Sequence, residues 1–416
     1  MGHAAAAASI ARLVRGNRRR RMNMWFGMAP LYDRTESPLP APAYPAARPI
    51  AKRVHAHFSR HLETARARAS VPLAEVPDVD AIETIIDTAF WASLRREESL
   101  TPKISLAFVA REDAGQPLTF ATHLPLTPPA LARLAPAVER PGIHLGVWRH
   151  GAGLAVWGTS RSIPAFCFVV EVIASGLLVI KHRSEAFGKF VNVAVIEGDQ
   201  VKFVDEGFSL SPECPGPVKS LLGFDPPHRR DGAVDVLVQL AASMRAHGRG
   251  GALLVVPAYK ETWRESIVEP MLYAVTPAFS ELADLMRREA DEASTHEWQE
   301  DLRRAVDAIA GLTAVDGATI LRDEYELLSF GAKIVRRRGH ASIERVVVTE
   351  PVEGGERLIL TPSQLGGTRH FSAAQFVHDQ QDAIALVASQ DGRFTIFKWS
   401  PHEEMVHAHR VEALLL

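Results

Sequence analysis

The spacing of apolar and polar positions changes along the chain and divides it into regions. Residues 51–70 are basic with a helical pattern, and residues 78–96 predict an amphipathic helix because their apolar side chains fall on one face. From about residue 103 to 206, short or alternating apolar runs with turn-forming residues between them predict strands. We therefore predict a β-rich α+β domain with a leading helix over residues 51–215. The predicted strands are 104–109, 144–148, 154–157, 165–173, 176–180, 190–196 and 201–204.

After residue 230, helical and strand-like segments alternate. Helices are predicted near residues 233–247, 263–290 and 297–311. Alternation of this kind is typical of an α/β domain, here a mixed sheet flanked by helices over residues 230–416. Several prolines precede this domain and predict a linker at residues 216–229. The predicted strands are 251–256, 315–321, 346–348, 358–360, 383–388 and 393–399.

The first fifty residues have the composition of a disordered tail. They contain an alanine run at 4–8, four arginines at 18–21 and a Pro/Ala-rich stretch at 38–45. The arginines could tether the chain to nucleic acid or to a membrane. A solvated tail, or a gene start placed too early, is favoured because runs of like charge are usually solvated. We predict a disordered tail over residues 1–50.

Charge and cysteine content limit the possible function classes. The 416 residues include 47 Lys and Arg against 49 Asp and Glu, so the net charge of −2 gives no basis for general nucleic-acid binding. The longest apolar stretch, residues 163–180, is interrupted by Glu171 and does not predict a transmembrane helix. Cys167 and Cys214 are too few for a disulfide framework or a zinc site. We expect a cytoplasmic protein without membrane or nucleic-acid partners.

A carboxylate lies at the start of the strand predicted at residues 315–321. Asp316 is followed by Gly317 and Ala318, whose small side chains leave the backbone beside the carboxylate uncovered. A carboxylate in this position can hold a hydroxyl group, accept its proton or bind a metal ion. The structural alternative is an Asp that pairs with a turn amide. The second motif, described next, favours a functional role.

A glycine-rich turn farther along the chain precedes a predicted helix. Backbone N–H groups of such a turn, a helix N-terminus and an arginine together form a site for an anion, most plausibly phosphate. His370 could donate to a phosphate or orient Arg369, and the structural alternative is an ordinary loop with a capped helix. One carboxylate facing one phosphate site indicates nucleotide chemistry. The turn consists of Gly366, Gly367, Thr368, Arg369 and His370.

The order of these two motifs resembles the diadenylate cyclase (DAC) domain, whose signatures are DGA and RHR. Residues 249–256 resemble the strand that precedes DGA in that family, and residues 382–392 resemble its closing strand and acidic turn. The resemblance covers about residues 230–400. The β-rich region is similar to the predicted sensor modules found ahead of some DAC domains, particularly at residues 146–159 and 178–182.

The resemblance implies an activity, a cofactor and an assembly. A DAC domain condenses two ATP molecules to cyclic di-AMP with the help of Mg²⁺ or Mn²⁺, and it acts as a homo-oligomer with active sites face to face. By this resemblance Asp316 would activate the 3′-hydroxyl and bind the metal, and Arg369 would be the second catalytic residue. The nucleotide-binding residues would be Gly317, Ala318, Gly366, Gly367, Thr368, His370, Ser389 and Asp391.

The chain also departs from the DAC pattern at two positions. Phe371 replaces the second arginine of RHR, and Gln390 precedes Asp391 where the family has Ser-Glu. The arginines at residues 336–338 could supply the missing positive charge, or they could belong to a solvated turn. These departures favour an alternative function, a catalytically degenerate domain that binds a nucleotide or cyclic dinucleotide as a sensor. A third possibility is an unrelated α/β protein with a chance pair of motifs.

Weaker signals lie elsewhere in the chain. The basic residues 181–183 could bind a small anion, and Trp148 and Trp157 could stack on a ligand. Strand ends and packed aromatic side chains are the more common reason for such residues. The histidines near the C-terminus lack the company of a metal site and are predicted to be surface residues: His402, His407 and His409.

Overall fold

The computed structural model describes residues 43–66, 72–96, 101–184, 189–223, 235–288 and 295–416. Most of the predicted tail therefore lies outside the described residues. The first helix begins at Ala47, inside the segment predicted as tail. Within the described part of the chain, no helix is both long and apolar enough to cross a membrane.

The N-terminal half forms an eight-stranded mixed sheet covered by helices. Its strand order is β2-β4-β3-β1-β5-β6-β7-β8, with β1 and β3 parallel and the other neighbours antiparallel. The helices are α1 (Ala47–Arg66), α2 (Val79–Ser93) and α3 (Pro128–Val138). The strands are β1 (Ile104–Phe108), β2 (Leu118–Pro125), β3 (His144–His150), β4 (Gly153–Ser160), β5 (Phe168–Ala174), β6 (Leu177–Arg183), β7 (Phe190–Glu197) and β8 (Gln200–Phe203).

Helix α2 forms where the sequence pattern places it. The Asp78 carboxylate accepts a hydrogen bond from the backbone N–H of Ala81 at 2.8 Å and caps the helix. The apolar face of α2, including Ile82 and Ile86, is buried in the core below the sheet. The predicted N-terminal strands are confirmed, whereas α3 and the edge strand β2 were not predicted. Strand β2 is largely exposed, so burial imposes no alternation on its side chains.

The C-terminal half forms a nine-stranded mixed sheet with the order β10-β12-β11-β9-β15-β16-β17-β13-β14. Its strands are β9 (Gly251–Val256), β10 (Tyr273–Phe279), β11 (Ala318–Arg322), β12 (Leu327–Ala332), β13 (Val346–Thr349), β14 (Leu358–Leu360), β15 (Ile384–Ala388), β16 (Phe394–Ser400) and β17 (Met405–Arg410). Its helices are α4 (Gly216–Leu221), α5 (Val236–Ala246), α6 (Glu281–Arg287), α7 (His296–Leu312) and α8 (Thr368–Asp379).

Helices cover both faces of this second sheet. Along β9, Leu253 packs toward a core with α5 and α7, while its neighbour Leu254 packs toward a core with α8. Successive side chains of a strand point to opposite faces, so a strand buried on both faces is apolar throughout. The prediction of a mixed sheet flanked by helices is confirmed, and α4 lies in the segment predicted as a linker.

The long helix predicted near residues 263–290 is wrong. The structure has a 3-10 turn at Thr262–Ser266, the edge strand β10 and the short helix α6 in its place. Pro270 and Pro277 interrupt the segment, and proline lacks the N–H that a helix interior requires. An edge strand tolerates Pro277 because one side of its backbone has no partner strand.

Two of the C-terminal histidines were also predicted wrongly. His407 and His409 lie in β17, with exposed fractions of 3% and 0%. The Nδ1 atom of His409 lies 2.8 Å from the Thr349 hydroxyl oxygen, and burial lowers the pKa of His409 to about 3. His402 is exposed, as predicted. The missed strand β17 explains the error, because its alternating histidines point into the fold instead of into solvent.

Contacts join the two sheet regions. The Asn192 side chain in β7 donates hydrogen bonds to the carbonyl groups of Ala413 at 2.9 Å and Leu416 at 3.2 Å. Val204 forms a β-bridge with Val352, and Val352 packs with Val179 and Val195 of the first sheet in a small apolar cluster that also includes Ala413. The C-terminal end of the chain therefore stabilises the outer strands of the first sheet.

Candidate functional site

The two sequence motifs meet at one end of the second sheet. Strands β9 and β11 are parallel, with Ala252 opposite Ala318, so both begin at this end. Strand β15 is antiparallel to β9, with Ala388 opposite Gly251, so β15 finishes there. Asp316 precedes β11, and Arg369 is in the first turn of α8. The fold thus brings together segments that are far apart in sequence.

Asp316 is an exposed carboxylate that forms an ion pair with Lys333. Its side chain is 85% exposed. The hydrogen bond and charge of Lys333 hold the pKa of Asp316 below its usual value, and the charge of Arg369 lowers it further. Sequence analysis did not identify Lys333. The antiparallel pairing of Ala318 with Ala332 places Lys333 beside Asp316, a register that the sequence spacing alone does not give.

Replacing Lys333 with alanine is expected to raise the pKa of Asp316 toward the ordinary value of an aspartate. The lost ammonium group no longer stabilises the ionised carboxylate. The measurement is a pH titration of the Asp316 carboxyl carbon by NMR. Lys333→Arg is the matched control because it keeps the charge. An unchanged titration in Lys333→Ala would show that the ion pair is not formed in solution.

The backbone beside Asp316 is closely packed. Gly317 has a φ of +117°, and a Cβ atom there would lie 2.4 Å from the carbonyl carbon of Gly331. Gly331 in turn packs against the ring of Tyr273 on β10. Ala318 is buried, with 1% of its surface exposed. Gly317 and Ala318 therefore fix the turn that presents Asp316, and the Gly317 position accepts no larger residue without movement.

Arg369 lies across the sheet end from Asp316. Its Nη1 atom packs over Gly250, where a Cβ atom would be 3.1 Å away. A Cβ atom at Gly250 would also lie 3.3 Å from the Cγ of Gln390, so Gln390 borders the same space. Among the described residues, no carboxylate forms an ion pair with Arg369. A half-buried guanidinium without an anionic partner is available to bind one.

The glycine-rich turn leads into the N-terminus of α8. Gly367 is the N-cap residue and has no side chain that could accept a hydrogen bond from the first N–H groups of the helix. Gly366, Gly367 and Thr368 are all exposed. His370 and Phe371 donate their N–H groups to the Gly367 carbonyl oxygen at 3.0 and 3.4 Å, so among the described residues the Thr368 and Arg369 N–H groups are the ones that an anion could accept.

His370 is buried and has a packing role. Only 5% of its surface is exposed, and a Cβ atom on Gly366 would lie 2.8 Å from its Nδ1 atom. Its ring contacts Phe397 edge-on at 6.1 Å. Burial lowers the pKa of His370, and the charge of Asp391 opposes that shift. The ring packs against the glycine turn, and the two roles that the sequence left open, donating to a phosphate or orienting Arg369, stay predictions.

The acidic turn after β15 borders the same region. Ser389 donates its backbone N–H to the carbonyl oxygen of Arg393 at 2.9 Å, which closes the turn. A hydrogen bond from the Ser389 side chain lowers the pKa of Asp391. The Gln390 side chain donates to the carbonyl oxygen of Arg249 at 3.3 Å. Ser389 and Asp391 are therefore hydrogen-bonded to each other. The Gln390 side chain borders the same space at Gly250 as the Arg369 guanidinium.

Arg337, in the middle of the arginine run at residues 336–338, does not join this site. The Arg337 backbone N–H donates to Asp379 at 2.8 Å, and its guanidinium donates to Glu265 at 2.6 Å. Asp379 is the last residue of α8, so it lies roughly 15 Å along the helix from Arg369 at 1.5 Å per residue. Arg337 therefore cannot replace the positive charge that Phe371 lacks. Phe371 itself is 40% exposed.

The site fits a divalent cation that is bound mainly by its substrate. Magnesium and manganese prefer oxygen ligands, and nucleotide sites commonly combine one or two carboxylates with phosphate oxygens. Asp316 offers one exposed carboxylate, now paired with the Lys333 ammonium group. A metal held there would have to displace that ammonium group.

Three of the residues in the first sheet that were considered as ligand-binding candidates already contact other parts of the fold. Trp157 is 2% exposed, and its indole N–H donates to the carbonyl oxygen of Val109 at 2.9 Å. Lys181 forms an ion pair with Glu171. His182 is 7% exposed and stacks on Phe166 at 5.0 Å. These contacts favour the interpretation that the residues are packed side chains and strand ends.

Comparison with known proteins gives one family match. Residues 71–161 match the family model described as "Probable sensor domain DACNV". This is the kind of N-terminal sensor module that precedes DAC domains. The match spans α2 to β4 and does not extend to Asp316 or Arg369. No curated protein matches the chain.

Proposed function

We propose that residues 230–416 form a diadenylate cyclase-like domain that condenses two ATP molecules to cyclic di-AMP under the control of the N-terminal sensor domain. The main support is the placement of Asp316 and Arg369 at one sheet end, close enough for the Arg369 charge to lower the Asp316 pKa. A carboxylate beside a guanidinium that forms no ion pair with any described residue suits a hydroxyl nucleophile and a phosphate. The sensor match at residues 71–161 adds support from the other half of the chain.

In the proposed reaction, Asp316 holds the 3′-hydroxyl of one ATP and accepts its proton as the oxygen attacks the α-phosphate of the other ATP. The bond from that phosphate to pyrophosphate breaks, and two such steps close the ring. Arg369, with Thr368 and the amides of Gly366 and Gly367, binds phosphate. A Mg²⁺ or Mn²⁺ ion held partly by Asp316 would offset the triphosphate charge. Each subunit contributes one nucleotide, so two active faces meet in a homo-oligomer.

The proposal is tested by incubating the full chain with ATP and Mn²⁺ and identifying the products by mass spectrometry. Cyclic di-AMP and pyrophosphate are expected in a molar ratio of about one to two from the stoichiometry of the reaction. The rate per subunit is expected to rise with protein concentration until the oligomer is saturated. Saturable ATP binding without product would reject the cyclase in favour of the second function below.

A second function, nucleotide sensing without turnover, is favoured by two observations. Phe371 places an exposed aromatic ring where the family has its second phosphate-binding arginine. The Lys333 ammonium group already forms an ion pair with the ionised Asp316 carboxylate. A site with these features would bind a nucleotide or cyclic dinucleotide and report it through the oligomer. Retained binding of cyclic di-AMP together with absent turnover would distinguish this sensor from the cyclase.

Replacing Arg369 with alanine is expected to weaken ATP binding about 10- to 100-fold, the usual range for one charge-assisted phosphate contact. The effect should be larger at low salt, because dissolved ions screen the attraction between the Arg369 guanidinium and the phosphate groups. Binding is measured by calorimetry at two salt concentrations. Arg304→Ala on α7 is the matched control, since this arginine is 75% exposed and forms its ion pair with Asp301 of the same helix. Equal affinities in the two variants would remove Arg369 from the phosphate site.

A further inference from the structure

Two histidines on α1 face one carboxylate from another part of the fold. His57 and His61 are four residues apart, which places them on the same face of the helix one turn apart. Their rings lie 4.4 Å apart. Glu206 begins the 3-10 turn at Glu206–Leu210, after the last strand of the first sheet. Helix α1 lies N-terminal to the residues that match the sensor family, so neither the match nor the proposed nucleotide chemistry accounts for this cluster.

The possible ligand atoms of the three side chains lie close together. The Nε2 atom of His57 lies 3.6 Å from one Glu206 oxygen, and the Nε2 atom of His61 lies 2.9 Å from the other. All three ligand atoms lie within 4.8 Å of one another. Two ligands of a tetrahedral zinc ion, each at about 2.0–2.1 Å from the metal, are about 3.3 Å apart. Small side-chain movements would therefore bring the cluster to the spacing of a zinc site.

Hydrogen bonding does not explain why these nitrogen atoms are buried together. Both Nε2 atoms are inaccessible to solvent, and neither has a hydrogen-bond partner among the described residues. Glu206 approaches both nitrogens as an ion-pair partner, at 3.6 Å from His57 and 2.9 Å from His61. Buried polar atoms without partners are uncommon, and a metal ion would satisfy both nitrogens and the carboxylate at once.

We infer that His57, His61 and Glu206 form a binding site for a divalent transition-metal ion of the zinc class. Two histidines one helical turn apart and a glutamate from a separate element are a known three-ligand set for zinc, and they leave a fourth position open. The half-buried setting suits imidazole and carboxylate ligands better than the hydrated magnesium ion. The site is separate from the Asp316 region, so it does not depend on the proposed cyclase activity.

The position of the cluster gives the metal a structural effect. Glu206 lies in the segment that connects β8 to α4, at the passage from the first sheet to the second domain. Zinc would therefore fix the N-terminal helix α1 to this connecting segment. A module of sensor type with a metal at its exit has a direct way to transmit metal occupancy to the domain that follows.

The test is a zinc titration of the untagged full chain against a chromophoric chelator. We expect one zinc per chain with a dissociation constant near or below about 1 μM, and a higher thermal midpoint in the presence of zinc. His61→Ala and Glu206→Gln are each expected to weaken binding by more than about 100-fold, because even outer partners of zinc ligands account for 10- to 100-fold. Neither variant should show the zinc-dependent rise in midpoint.

His55→Ala is the matched control, because it removes a histidine of the same helix outside the cluster. It should bind zinc within about threefold of the unmodified chain, as expected for a residue that is not a ligand. Glu206→Gln preserves side-chain volume, so a loss of binding in this variant with an unchanged zinc-free midpoint would exclude misfolding. The inference would be overturned by the absence of stoichiometric binding, or by equal affinities in Glu206→Gln and the control.

Discussion

Asp316→Asn is expected to reduce the rate of cyclic di-AMP formation by about 10³-fold or more, while ATP binding measured without a divalent cation stays equal or becomes tighter. Asparagine has nearly the same shape but cannot accept the proton of the 3′-hydroxyl, and general-base groups typically contribute 10²- to 10⁴-fold. Removing a negative charge beside a triphosphate also reduces repulsion. A lower rate without a loss of affinity is expected for a group that stabilises the transition state and not the bound substrate.

The measurement combines initial rates from mass spectrometry with calorimetric ATP affinities. Asp323→Asn is the matched control on the same strand. Asp323 follows β11 at its opposite end, is exposed, and accepts a hydrogen bond from the Ala258 backbone N–H at 2.9 Å. The control should keep the full rate. A rate for Asp316→Asn within threefold of the control would remove Asp316 from the proposed chemistry.

Gly317→Ala is expected to lower the free energy of unfolding by about 2–5 kcal/mol, from backbone strain together with overpacking. The φ of +117° is unfavourable for any residue with a Cβ atom, and the added methyl would lie 2.4 Å from the carbonyl carbon of Gly331. Gly331 belongs to β12, so the collision separates two paired strands beside Asp316. The effect is measured as a fall in the denaturant midpoint followed by tryptophan fluorescence.

Gly339→Ala separates the two causes of this loss. Gly339 also has a positive φ, +82°, but an added Cβ atom would meet no atom within 4 Å. This control should lose only about 1 kcal/mol from backbone strain. If both variants lost the same amount of stability, the close approach of Gly317 to Gly331 would not be a feature of the folded protein in solution.

The sequence predicted the fold correctly where a local pattern of residues is compatible with only one kind of element. The apolar run of β9 had to be buried on both faces, and Asp78 followed by an amphipathic pattern had to begin a helix. The sequence also identified the turn and helix start at Gly366–Thr368 by their glycine content. The prediction from sequence was wrong where the local preference for a helix conflicted with the position of the segment in the sheet. The predicted helix over 263–290 has helical composition, but its prolines fit an edge strand better.

The sequence by itself determined which groups could do chemistry at the candidate site: one carboxylate at the start of a strand, and one arginine with a neighbouring histidine after a glycine-rich turn. Tertiary structure decided which of them meet. Strand order brings Asp316 to Arg369 and adds Lys333, whereas Arg337 is held at the far end of α8. It also buries His409 and directs His57 and His61 toward Glu206. Strand register and helix packing depend on contacts between distant segments, and no local window of sequence contains that information.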